Sequence, residues 1–395
     1  MTEHKDAPML TLIRGASVFA PEPLGAQDLL LGGGRILAMA ANLSPGGLGS
    51  VLREVDGRGL LAVPGLIDSL VHTAGGGGEG GFASRIRPLE AEQALRAGVT
   101  TLIGALGTDD STRSHADLLA CGRALSAHGL SAFALSGSYH VPVRTLTGSL
   151  RDDIVLISDI IGVGEIAIAD HRGAQPSSRE LARIAAEAHV GGLLSGKAGT
   201  LLVHVGDGRD GLGLLRACLA EHEVSAARFL PTHCNRSRRL LDEAREWIGG
   251  GGWIDLTAST TSALLSAGEV SAASALHELL SDPACAGRVT LSSDGQASLP
   301  HFDAEGRLLR IDTARVDSLL VTLREACALG LDLPIALSAL TRTPARVWGL
   351  ADKGTLQVGA AADLLLLDPD RLQPRITVAG GRVWEIGEDA PRELR

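Results

Sequence analysis

Between residues 63 and 349 the chain alternates short apolar runs with longer helix-patterned segments. "VTTLIGAL" (99–106) precedes "STRSHADLLACGRALSAHG", and "SAFALSGSYH" (131–140) follows it. "IGVGEIAIADHR" (161–172) leads into "SSRELARIAAEAHVGGLLSG", "TLLVHVGD" (200–207) into "GLGLLRACLAEH", and "RFLPTHCNR" (228–236) into "RLLDEAREWIGG". "WIDLTAS" (253–259) and "RVTLSSDG" (288–295) complete the series. Sustained strand–helix alternation is the pattern of a parallel α/β fold, and about eight units favour a closed TIM barrel over an open sheet. No period of 20–50 residues recurs, so a solenoid is not supported.

The two ends have a different texture. "LTLIRGASVFA" and "DLLLGGGRILAMA" read as short strands around a glycine turn, and "GTLQVGAAADLLLLD" and "RITVAGGRVWEIG" repeat that style near the C-terminus. The expected architecture is therefore α/β: a (β/α)8 TIM barrel over 63–349, with a small β-sandwich built from 1–62 and 350–395.

Composition narrows the function. Hydrophobic residues make up 45% and charged residues 21%, enough for a sizeable core. Aromatics are only 3%, with Tyr139 the single tyrosine, so that core must be aliphatic. The net charge is −10 and no basic cluster is long enough to follow phosphates, which argues against nucleic acid. No run approaches the length of a membrane span, and "MTEHKDAPML" lacks the form of a signal peptide. A cytoplasmic protein with no membrane partner is expected. The five cysteines show no CxxC spacing and read as free thiols in a reducing compartment.

In a TIM barrel the chemistry gathers where the strands end. Here the strand ends carry Asp68 and His72, Tyr139 and His140, Glu165, Asp170-His171-Arg172, His204, His233 and Asp294. A single histidine at such a place is ordinarily structural. Several on independent strands meet at one mouth. His204, His233 and a carboxylate give zinc three protein ligands and leave a fourth position open for water. Asp294 is the obvious carboxylate to accept a proton there.

"VPGLID", "GGGGEGG", "GTDDSTR", "GSYHVPVRTLTGS", "DHRGA", "HVGD", "LPTHCNR", "SSDGQAS" and the returning "GAAADLLLLD" together resemble the amidohydrolase superfamily, and within it the bacterial isoaspartyl dipeptidases. The resemblance covers nearly the whole chain. It implies a binuclear site: one metal on a His-x-His pair and the last-strand aspartate, a second on two later histidines, and a carboxylated lysine bridging both. His72 matches the second His-x-His histidine, His204 and His233 the later pair, and Asp294 the aspartate. Two positions depart, since Leu70 replaces the first histidine and Glu165 falls where the lysine belongs. No lysine can substitute, because the chain has only Lys5, Lys197 and Lys353. Leucine cannot bind a metal, and glutamate suits one metal near its own strand, as in the related N-acetylglucosamine-6-phosphate deacetylases. Both changes imply one zinc per chain on Glu165, His204 and His233, with His72 beside it, rather than two.

The resemblance also places Glu79 on a substrate's α-amino group, Arg172 and Arg236 on carboxylates with Thr108 and Ser298 assisting, and Tyr139 on the scissile carbonyl. The expected reaction is hydrolysis of an amide in a small zwitterionic or acidic substrate. A β-aspartyl (isoaspartyl) dipeptide is the leading substrate, by zinc-activated water with Asp294 as general base and then acid. The alternatives are a deacylase or imide hydrolase acting on a modified amino acid, and a silent paralogue that only binds ligand. A homo-oligomer is expected by resemblance alone.

Overall fold

The structure is a computed structural model and describes residues 10–303 and 307–394; Lys5 and the rest of 1–9 lie outside the described residues. Eight strands form the barrel: Leu66–Val71, Val99–Gly104, Ser131–Ser136, Ile160–Ile168, Thr200–Val205, Phe229–Thr232, Ile254–Thr257 and Val289–Ser292. The first six pair in sequence order as one parallel sheet, and the seventh pairs in parallel with the eighth. Backbone bonds close the ring. Cys234 N–H donates to Asp255 O (3.1 Å) between the sixth and seventh strands, while Asp294 N–H to Leu70 O (3.1 Å) and His72 N–H to Gly295 O (2.8 Å) join the eighth to the first.

All residues of the first, second, and fourth to eighth strands are buried. Strands covered on both faces read as continuous apolar runs, and this is why the alternation was visible in sequence. Inside the barrel Leu70, Ile103, Leu135, Ile161, Leu202 and Leu230 pack with Trp348. The outer helices begin and end where their local chemistry directs. Ser177 and Glu180 exchange hydrogen bonds as a capping box before Ser178–Ser195, which stops at Gly196 with φ 70°. Arg238–Gly249 turns Leu240, Leu241, Ala244, Trp247 and Ile248 inward, one face of a 3.6-residue period.

Both termini build the second unit. Leu10–Phe19 pairs with Pro23–Gly32, Leu52–Asp56 and Leu61–Pro64; Leu61–Pro64 then pairs with Leu364–Leu367 from the far end of the chain. The hydrogen bonds run through eight strands in one order, with Leu52–Asp56 branching from Leu10–Phe19 as the ninth, so the two expected layers belong to one connected sheet. Ile13, Leu29, Ile36, Leu364 and Val378 share a core distinct from that of the barrel. The turn between Pro23–Gly32 and Arg35–Ala40 is Gly33-Gly34, with φ 57° and 74°. That left-handed pair is the conformation a two-residue hairpin requires. Among the described residues no helix is long and apolar enough to cross a membrane.

Candidate active site

Three buried side chains from three neighbouring strands converge at the barrel mouth: Glu165 from the fourth, His204 from the fifth and His233 from just past the sixth. One donor atom of each lies within 4.8 Å of the others. Glu165 Oε2 stands 3.4 Å from His204 Nδ1 and 3.9 Å from His233 Nε2, and it is buried without a hydrogen-bond partner. The two nitrogens also meet each other at 3.0 Å, and the orphaned carboxylate oxygen beside them costs free energy unless something such as a shared cation satisfies it. The donor set therefore fits one divalent metal of the zinc type.

The other side of each ring is held. His204 Nε2 meets Asp170 Oδ2 at 2.9 Å, which fixes the proton on Nε2 and turns Nδ1 toward Glu165. His233 Nδ1 meets Thr257 Oγ1 at 2.6 Å, leaving Nε2 for the cluster. Burial disfavours charge on His233, and with Arg236 and His204 nearby its pKa falls to about 4, so it is the neutral imidazole that ligation needs. Glu165 stays ionised: burial opposes this, but His204 and His233 hold its carboxyl well below the usual range.

His72 and Asp294 form the neighbouring pair, with His72 Nε2 3.2 Å from Asp294 Oδ1 and 3.6 Å from Glu165 Oε1. His72 Nδ1 lies 3.2 Å from Ala105 O. Burial alone would lower the His72 pKa, but the two carboxylates raise it to about 9. His233 and Asp294 both adopt positive φ, 64° and 54°, unusual for residues other than glycine. Such strain persists only where surrounding structure enforces it, and it collects at functional sites. Leu70 points into the barrel core and offers no donor. Neither described lysine is free for the mouth. Lys197 Nζ donates to the carbonyls of Ile154, Ile157 and Ile160, and Lys353 pairs with Asp363.

A cavity of ≈ 700 Å³ opens over this cluster and contains Glu79, Thr108, Tyr139, Arg172, Arg236 and Ser298. Glu79 is held by two hydroxyls, Thr108 Oγ1 to Oε1 at 3.0 Å and Ser298 Oγ to Oε2 at 3.1 Å. Its loop is rigidly supported: buried Arg113 donates to the carbonyls of Ala74, Gly76, Gly77 and Ile86. At Gly75, with φ 79°, a Cβ would come within 2.2 Å of Ile86 O, so no side chain fits there. Tyr139 Oη lies 2.7 Å from His204 Nδ1, and burial raises its pKa well above the ordinary value, keeping the hydroxyl a donor.

Arg172 is less free than its sequence context implies. Nε and Nη2 bind Asp170 at 3.0 and 2.8 Å, leaving Nη1 facing Glu79 at 3.6 Å. Arg236 lines the cavity with its guanidinium unpaired among the described residues. Asp68 lies below the site and accepts from Ser293 N–H at 2.9 Å. His171 is largely exposed, and His140 bonds Thr108 O. Sequence reading assigned no role to Asp170, Thr257 or Arg113. Only the "DHR" and "GTDDSTR" runs hinted at the first and last.

A closed parallel barrel with metal-type donors at its mouth defines a class, and residues 61–385 match the Amidohydrolase family. The chain belongs to the amidohydrolase family and is a hydrolase. Its structure is similar to the β-aspartyl dipeptidase of Fervidobacterium islandicum AW-1 in complex with the β-Asp-Leu dipeptide: TM-score 0.91, 38% identity, covering 98% of this chain and 99% of that one. The dihydroorotase of Pelotomaculum thermopropionicum is 25% identical over 416 residues, covering 93% of this chain and 90% of that protein. Dihydropyrimidinase from Brevibacillus agri, at 15% identity and TM-score 0.66 over 97% of this chain and 96% of that one, shares the fold.

Proposed function

We propose that this chain hydrolyses the isopeptide bond of β-aspartyl dipeptides at a single-metal centre held by Glu165, His204 and His233. The observation that carries the reading is Glu79, a carboxylate fixed by Thr108 and Ser298 in the cavity that also holds the metal-type cluster. A zinc ion on those three donors supplies Lewis acidity that polarises a carbonyl and acidifies water.

The protein's own groups do the rest. Glu79 receives the substrate ammonium, and the Nη1 edge of Arg172, which faces Glu79, attracts the adjoining α-carboxylate. Arg236 grips the carboxylate of the leaving residue. Asp294, anchored beside His72, takes the proton from the attacking water and delivers it to the departing amine. Tyr139 donates a hydrogen bond from its hydroxyl to the oxygen on which negative charge develops, and keeps its proton. Asp170 and Thr257 hold the two histidines in the required tautomers.

The test is hydrolysis of β-Asp-Leu and α-Asp-Leu by zinc-loaded protein, with Glu79→Gln in parallel. The expected result is turnover of the β-linked peptide only, with kcat/KM reduced roughly 100-fold in the variant, the scale of a charge-assisted contact. Absence of β-Asp-Leu turnover by folded, metal-loaded protein would overturn the reading.

A further inference from the structure

One ionic group in the cavity has no part in the chemistry above. Glu269 lines the cavity with Arg236, Leu264 and Ala267. Its segment is tied to the loop after the sixth strand, because Val270 N–H donates to Asn235 O at 2.9 Å and Asn235 Nδ2 donates to Val270 O at 3.0 Å. Asn235 is itself buried and accepts from Thr257 N–H at 2.8 Å. Glu269 is thus fixed beside the loop that carries Arg236. Glu79, by contrast, is gripped from the loops that follow the second and eighth strands.

Among the described residues Glu269 has no ion-pair partner, and Arg236 has none either. The two oppositely charged groups share a wall without pairing with each other. Burial pushes the Glu269 carboxyl above its ordinary value, and the Thr260 hydroxyl and the Arg236 charge only partly offset this. A half-buried carboxylate with no direct ion pair gains from a cation supplied by a ligand. Leu264 and Ala267 beside it offer apolar surface for a methylene stem.

We propose that Glu269 is a specificity residue selecting a leaving amino acid with a cationic side chain, arginine or lysine, while Arg236 takes that amino acid's α-carboxylate. The inference rests on the dipeptidase reading. It narrows the substrate to β-aspartyl dipeptides whose second residue is basic.

Steady-state kinetics of the zinc-loaded protein on β-Asp-Arg, β-Asp-Leu and β-Asp-Glu test it, with Glu269→Gln and Glu269→Lys alongside. The expected kcat/KM order is Arg over Leu over Glu, with roughly a tenfold or greater advantage of Arg over Leu, the scale of one charge-assisted contact. The advantage should lie mainly in KM. Glu269→Gln should bring that ratio close to one while β-Asp-Leu is still cleaved. Glu269→Lys should favour β-Asp-Glu over β-Asp-Arg, a gain that a merely damaged fold would not produce. Wild-type protein that cleaves β-Asp-Leu as well as β-Asp-Arg overturns this inference alone, as does a preference for Arg that survives in Glu269→Gln. A protein that cleaves no β-aspartyl dipeptide overturns the dipeptidase reading and the inference with it.

Discussion

Leu70 and Glu165 are the residues on which the proposed single-metal site turns. Leu70 is completely buried and packs with Ile103, Leu135 and Leu202, so it belongs to the barrel's interior. Leu70→Ala should therefore cost about 2–5 kcal/mol, the range for truncating a packed core leucine, measurable by urea unfolding of wild type and variant. Glu165 stood out in the sequence as the one charged residue of an otherwise apolar strand, Ile160–Ile168, and its proposed role as a ligand came from the resemblance. The partners of the two histidines did not stand out. Asp170 meets His204, and Thr257 meets His233, across strands whose register the one-dimensional spacing does not contain.

At the scale of elements, the eighth strand's end is fastened to the first. Asp68, fully buried on the first strand, accepts from the Ser293 N–H and hydroxyl, next to Asp294. This join positions His72 beside Asp294. Burial dominates at Asp68, and despite the Ser293 bonds its pKa is raised from 3.8 to about 7. A carboxyl raised in the folded state contributes stability that is fully present below its unfolded pKa and is lost as pH rises through the folded one. Wild-type unfolding free energy should thus fall, relative to Asp68→Asn, between about pH 4 and pH 7, by up to a few kcal/mol. Denaturant melts of both proteins at several pH values check this. A difference that stays flat across that window would show that Asp68 is charged throughout. The strand–helix alternation was readable because nearly every barrel strand is buried on both faces, whereas the support of the glycine loop that carries Glu79 was not. Arg113 fixes the glycine loop through backbone carbonyls, which leave no mark on side-chain pattern.

For the whole molecule, joining the two ends into one unit was visible from their shared texture of short runs and glycine turns. The joining of nine strands into one connected sheet was not, because the contact of Leu61–Pro64 with Leu364–Leu367 spans the entire barrel in sequence. The barrel closes around a mouth in which donors from the fourth, fifth and sixth strands form one compact set, while the first strand contributes Leu70 to the apolar interior. That compact donor set corresponds to one metal per chain in the proposed site. Its most direct test is zinc content by elemental analysis after exhaustive dialysis, on wild type, Glu165→Ala and His233→Ala. A single-metal centre requires one zinc per chain in wild type and loss of that zinc in both variants. Two zinc ions per wild-type chain, or a metal retained without Glu165, would contradict it.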